Sequence, residues 1–273
     1  MKKVAILDTD FISKGHIVRA AENTHLVDCI LNLQGYDFFC HEQTTIELAR
    51  HNSMASTWLE DQIRNGTITK YSDELIIQEM NALYRKTALF QYTLMLKNAC
   101  DAFDELYFRE HYSELETINQ NQMSIEEFIL TLKRLDGEIG EGSNLGEIKE
   151  YVLIQWLNIR SEDPVFYFCS DDRNARNGVL SVEVDEVQCV SVVSAFHWLK
   201  TDGGLTKETA QPFINSALQY YNMTKQASVR VIEASTVGRF MRIPYQQAFD
   251  EIFKERFIRL PNGMLKYWPD SDP

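Results

Sequence analysis

Asp8 and Asp10 close the first apolar run of the chain, "VAIL", with a single threonine between them. Three further places set acids beside apolar segments. Glu47 lies in "TTIELAR", Glu147 in "NLGEIKEYV", and Asp171-Asp172 follow "FYFC" after a single serine. Carboxylates brought together repel: a pair about 4 Å apart costs roughly 4 kcal/mol at an effective dielectric near 20. A hard divalent cation, Mg²⁺ or Mn²⁺, relieves that conflict because it prefers oxygen ligands. Each acid also has a plain structural reading. Thr44-x-x-Glu47 and Asn144-x-x-Glu147 have capping-box spacing, and Asp171 and Asp172 suit a turn or a helix N-cap. Glu150, one helical turn after Glu147, and Glu141 compete with it for the same role. Thr9, Ser13 and Ser170 either orient carboxylates or occupy tight turns.

The elements around these acids alternate. Val4–Leu7, 37–40 ("DFFC"), Val165–Cys169 and 187–190 ("VQCV") are apolar runs of the kind found in strands buried on both faces. Helical patterns separate them, over about 45–64, 144–160 and after 190. The sequence therefore predicts an α/β three-layer fold with a parallel sheet, whose C-terminal strand ends share one edge and would carry the acids. Residues 72–135 break the alternation with helical spacing and a capping box at Ser124-x-x-Glu127, which predicts a helical insertion. After Gly203-Gly204 the pattern predicts a helical C-terminal extension over 201–273, interrupted at Pro212 and Pro244. The expected division is a domain over 1–200 that carries the insertion, then the extension.

With 273 residues, 44% of them hydrophobic, the chain can bury a sizeable core. No apolar stretch approaches the roughly 20 residues of a membrane span. "MKKVAILDTD" starts like a signal peptide, but acids end its apolar run, so a cytoplasmic protein is expected. Five cysteines, without CxxC spacing, read as reduced thiols rather than a zinc site or a disulfide framework. The net charge of -13 argues against general nucleic-acid binding. It is uneven: the first two hundred residues hold 18 basic and 32 acidic side chains, the remainder 9 and 8.

Taken in order, "VAILDTDFISK", "TTIELAR", "LGEIKEYVLIQWL" and "FYFCSDDRNAR" resemble the PIN-domain nucleases. That resemblance covers about residues 1–70 and 136–200. It implies a PIN-like three-layer α/β/α core and endoribonuclease activity. It also implies Asp8 as principal metal ligand, completed by Glu47, Glu147 and Asp172, with Asp10 and Asp171 as outer or alternate ligands. PIN domains are commonly much shorter than this chain, and the insertion and extension fall outside the likeness.

Other readings stand beside it. "DTDFI" nearly fits the D-x-D-x-[TV] of haloacid-dehalogenase-like phosphatases, which would make Asp8 a nucleophile but leave Glu47 and Glu147 without a role. A non-catalytic PIN-like scaffold is the third. For an RNA substrate, Arg173 and Arg176 flank the acidic pair. Lys254, Arg256 and Arg259 interleave with aromatics in "FKERFIRLPNGMLKYW", a composition suited to single strands. The same stretch also reads as an amphipathic helix packed on the body. The acidic insertion would suit a protein partner or antitoxin, and self-association is compatible with the same composition.

Overall fold

The computed structural model describes residues 2–117, 123–140, 143–160, 165–181, 187–235, 239–260 and 262–268. β1 (Lys3–Leu7) leads into α1 (Thr9–Ile17). A short ribbon of β2 (Arg19–Ala21) and β3 (Thr24–His25) and the helix α2 (Leu26–Leu31) follow. β4 (Tyr36–His41), α3 (Glu42–His51), α4 (Ser53–Arg64) and β5 (Ile68–Tyr71) come next. The insertion then runs through α5 (Asp73–Tyr84), α6 (Ala88–Phe103), α7 (Tyr107–His111), α8 (Ser113–Thr117) and α9 (Ile125–Glu138). α10 (Leu145–Arg160) returns the chain to β6 (Val165–Cys169), α11 (Arg173–Ser181), β7 (Gln188–Val190) and α12 (Val192–Gly203). The C-terminal part holds α13 (Lys207–Met223), β8 (Ser228–Glu233), β9 (Phe240–Pro244), α14 (Tyr245–Phe253), β10 (Phe257–Arg259) and β11 (Leu265–Tyr267).

The main sheet has the order β5-β4-β1-β6-β7, and every neighbouring pair is parallel. β1 is central, which is why its residues from Val4 onward are buried and apolar. Successive side chains of a strand face opposite ways. Ala5 and Leu7 join one core with α1, α2, α12 and α13, and Val4 and Ile6 join a second core with α5, α6, α9 and α10. The result is an α/β architecture with helices on both faces of a parallel sheet. No described helix is long and apolar enough to cross a membrane.

The insertion is helical as expected, and the capping box at Ser124 and Glu127 forms. Three features differ from the sequence reading. The helix expected over 45–64 is two helices, because the backbone at Asn52 leaves the helical region and its side chain caps α4 at the Ala55 N–H. β5, "ITKY", is an edge strand too short and too polar for its pattern to show. Most of all, the C-terminal segment is not purely helical. It folds a four-stranded sheet of order β10-β11-β8-β9 beside α13 and α14. Its strands are short and pair over long separations, as with Ile232 beside Lys266, so helical spacing in the sequence was a poor guide. Phe213, Val231, Phe249 and Leu265 of this segment share one core with Ala5 and Phe38. Pro212 sits inside α13 rather than ending it.

Candidate active site

Asp8 leaves the buried end of β1 and is the N-cap residue of α1. Its backbone N–H donates to the Cys169 carbonyl at 2.9 Å, which locks it to the end of β6. The Ser170 hydroxyl donates to Asp8 Oδ2 at 2.5 Å. Asp8 is only 5% exposed. Burial pushes its carboxyl well above the usual range; Ser170 opposes this, while Glu147, Asp10 and Glu47 add to it.

Glu47 comes from α3 and accepts from Thr9 Oγ1 at 2.7 Å and Gln43 Nε2 at 3.1 Å. It has room because residue 146 is glycine: a Cβ there would stand 2.6 Å from Glu47 Oε1. The next residue, Glu147, lies in the first turn of α10. Burial first, then Glu47, Asp172 and Asp10, push its carboxyl up to about 7. Glu150 is fully buried one turn further on. Its Oε1 accepts from Thr44 Oγ1 at 3.0 Å, and its Oε2 has no hydrogen-bond partner. Burial, then the charge of Asp8, raises its carboxyl strongly.

Asp8, Asp10, Glu47, Glu147 and Asp172 all line one cleft of about 690 Å³ at the C-terminal edge of the sheet. The parallel register is what gathers them, since separate strand ends meet only along that edge. The capping reading of Glu47 does not hold: α3 starts earlier, with His41 as N-cap, and Thr44 donates to Glu150 instead. Asp172 both lines the cleft and caps α11, accepting from the Asn174 N–H at 2.5 Å and the Ala175 N–H at 3.0 Å. Asp171 does not line the cleft. Its carboxylate takes the Lys14 ammonium at 2.9 Å and the Val192 N–H at 3.0 Å. Lys14 also bonds Asp10 at 3.0 Å; burial disfavours its charge, but the two acids outweigh that and hold its pKa well above the ordinary value. Glu141 lies outside the described residues.

The wall opposite these acids is built by the insertion. The Lys149 ammonium, 1% exposed, bridges Asp73 of α5 and Asp136 of α9 at 2.8 Å each. The hydroxyls of Tyr92 and Tyr112 donate to the same two carboxylates. Burial disfavours the Asp73 carboxylate, but Lys149 and His41 more than compensate and hold its pKa well below the usual range. Above this floor Lys133 of α9 meets Glu74 of α5 at 2.9 Å. Residues so far apart in the chain carry no local pattern, and sequence reading missed all of them.

The basic residues expected to hold RNA do not line this cleft. Arg173 is exposed at the start of α11. Arg176 Nη1 donates to the Ser170 carbonyl at 2.8 Å and so supports the loop behind Asp8. Lys254 and Arg256 both approach Glu251, at 3.1 and 3.4 Å. Arg259 is internal: it donates to the Tyr167 hydroxyl at 2.6 Å and to Gln188 at 3.2 Å, and lies over the Tyr167 ring. The alternation of bases and aromatics here reflects strands β10 and β11, whose Phe257 and Tyr267 face the core.

Among the described residues, no three acidic, histidine or cysteine side chains grip a common point as they are turned. Asp8, Glu47 and Asp172 face protein donors instead. The donor set still fits a hard cation. It is made of carboxylates, of which burial and neighbouring acids raise those of Asp8 and Glu147, and buried Glu150, one turn after Glu147, carries an orphaned carboxylate oxygen. In comparisons with known proteins, the chain matches no family model, no curated protein and no solved structure.

Proposed function

We propose that this chain is a cytoplasmic, metal-dependent endoribonuclease with a PIN-like core. The observation that carries the reading is the meeting of Asp8, Glu47, Glu147 and Asp172, from four chain segments, in one cleft at the C-terminal strand edge. Mutually repelling acids are expensive to keep together unless a cation uses them.

Asp8, Glu47 and Glu147 would hold Mg²⁺ or Mn²⁺, with Asp172 and Asp10 alongside. Such an ion supplies charge neutralisation at the scissile phosphate and acidifies water. The protein's own part is orientation. Ser170 fixes one oxygen of Asp8, and Thr9 and Gln43 fix Glu47, so these carboxylates are held on defined rotamers. In the reaction the water oxygen bonds to phosphorus and the bond to the leaving sugar oxygen breaks. One proton of the water ends on that leaving oxygen. A phosphatase with Asp8 as nucleophile fits less well, because Asp8 is buried and bonded to Ser170.

The test is incubation of the purified protein with a labelled RNA pool and Mn²⁺, with and without EDTA. Cleavage that requires the metal is the expected result. No cleavage with Mn²⁺ would leave a binding scaffold, and cleavage that persists in EDTA would refute the metal mechanism.

A further inference from the structure

The outer face of the C-terminal sheet is built unlike its inner one. Side chains alternate along a strand, and Val231, Ile243, Leu265 and Tyr267 turn into the core. The residues between them turn outward. The register sets Ile258, Lys266, Ile232 and Phe240 in one row across β10, β11, β8 and β9. Beside that row, Arg230 of β8 faces Arg242 of β9 across the ladder. Ile258 is 53% and Phe240 42% exposed, and both arginines are exposed.

One feature of this face works against the fold. Like charges directly opposite on an antiparallel pair destabilise it. Yet neither Arg230 nor Arg242 forms an ion pair among the described residues, in a chain whose net charge is -13. The cations here also lie on aromatic rings. The Arg230 guanidinium carbon is 3.8 Å from the centre of the Phe240 ring, and the Lys266 ammonium is 4.9 Å from that of Trp268. Rings and guanidinium planes are surfaces on which unpaired bases stack, and unneutralised cations attract phosphates. The end of β9 lies within electrostatic reach of the acid edge. Tyr245 follows β9 directly, and after burial the charges of Asp171 and Lys14 act most on its hydroxyl. Lys14 in turn holds Asp10 of the cleft.

Resting on the nuclease reading for its ligand class, we propose that the outer face of β8 and β9, with Lys266 and Trp268 beside them, is the surface that holds single-stranded RNA. Arg230 and Arg242 pair with phosphates, and the two cation-capped rings receive bases. The repulsion between the arginines is relieved when a phosphate comes between them.

Binding is read in EDTA, by anisotropy of a labelled single-stranded oligoribonucleotide over a series of salt concentrations. Arg230→Ala/Arg242→Ala should bind at least ten-fold more weakly. Its salt slope should be lower by about 1.4, for two single-strand phosphate contacts at about 0.7 each. It should melt no lower than wild type, because the facing charges are gone. Phe240→Ala should weaken binding of the single strand by about five-fold or more, and not that of a duplex, whose bases are closed to stacking. With Mn²⁺, the double variant should raise KM for RNA cleavage and keep kcat, since these residues hold ground state and transition state alike. A folded double variant with wild-type affinity and slope overturns the inference. So does displacement of the RNA by poly-glutamate of the same charge at equal concentration, which would assign the face to an acidic protein partner. In either case Mn²⁺-dependent cleavage by wild type keeps the nuclease reading. A wild type that binds RNA on this face without cutting it overturns that reading alone.

Discussion

Ser170 Oγ stands 2.5 Å from Asp8 Oδ2, and both residues are buried. Asp8 follows β1 and Ser170 follows β6, so the bond spans the ends of neighbouring strands at the edge where the acids meet. Asp8→Asn keeps the shape but removes a charge. Cleavage should be abolished and the fold retained, with apo stability unchanged or higher as repulsion falls. Ser170→Ala should lower activity by about 10–100-fold, the usual effect of losing a group that orients a ligand. A normal cleavage rate in Asp8→Asn would sink the site assignment.

Metal linkage gives a readout independent of activity. An ion that binds only the folded cluster raises the melting temperature with its concentration. Mn²⁺ should do this for wild type and much less for Glu47→Gln/Asp172→Asn. Asparagine can still cap α11, so this variant should fold. Equal shifts in the two proteins would place the ion elsewhere.

The elevated acids predict an unusual pH dependence. Glu147 rises from an ordinary 4.5 to about 7 in the fold, and Asp8 moves the same way. Through that window the folded protein retains a proton that the unfolded chain has released. The stability contributed by the protonated form is present at low pH and is lost as pH rises toward 7. In chelator, the melting temperature should fall between about pH 5 and pH 7, with a smaller slope for Glu147→Gln. Identical slopes in the two proteins would show that Glu147 is not held in this way.

Lys149 holds the cleft wall together. Lys149→Met would leave the half-buried Asp73 and Asp136 without their cation, a loss of about 2–4 kcal/mol, somewhat below that of a fully buried pair. Urea denaturation should show it, and adding Asp73→Asn and Asp136→Asn should recover part of it. A variant as stable as wild type would mean that the wall does not depend on this network.

Arg259 separates internal from surface roles. Its bond to Tyr167 makes Arg259→Ala destabilising by about 1–3 kcal/mol. The salt dependence of RNA affinity should stay as in wild type, because the guanidinium faces Tyr167 and Gln188. A slope reduced by about 0.7, the value for one lost single-strand phosphate contact, would place Arg259 on the nucleic acid after all.

Much of the frame is written locally. Val4–Leu7 and Val165–Cys169 are apolar without alternation, which only a strand covered on both faces requires, and an acid follows at once after the first and after a single serine in the second. That reveals the sheet, its shared edge, and Asp8, Glu47, Glu147 and Asp172 upon it. What residue spacing cannot carry is the pairing of distant groups. The split of Asp171 from Asp172 depends on where Lys14 and the Val192 N–H lie. Thr44 meets Glu150, and Lys149 meets Asp73 and Asp136, only once distant segments are brought together. The same limit applies to the C-terminal segment. β8, β9, β10 and β11 are short, and they become strands by pairing with one another and burying Val231 and Leu265 in the core. Local propensity is worth tenths of a kcal/mol per residue, so for such segments long-range burial and pairing decide the outcome.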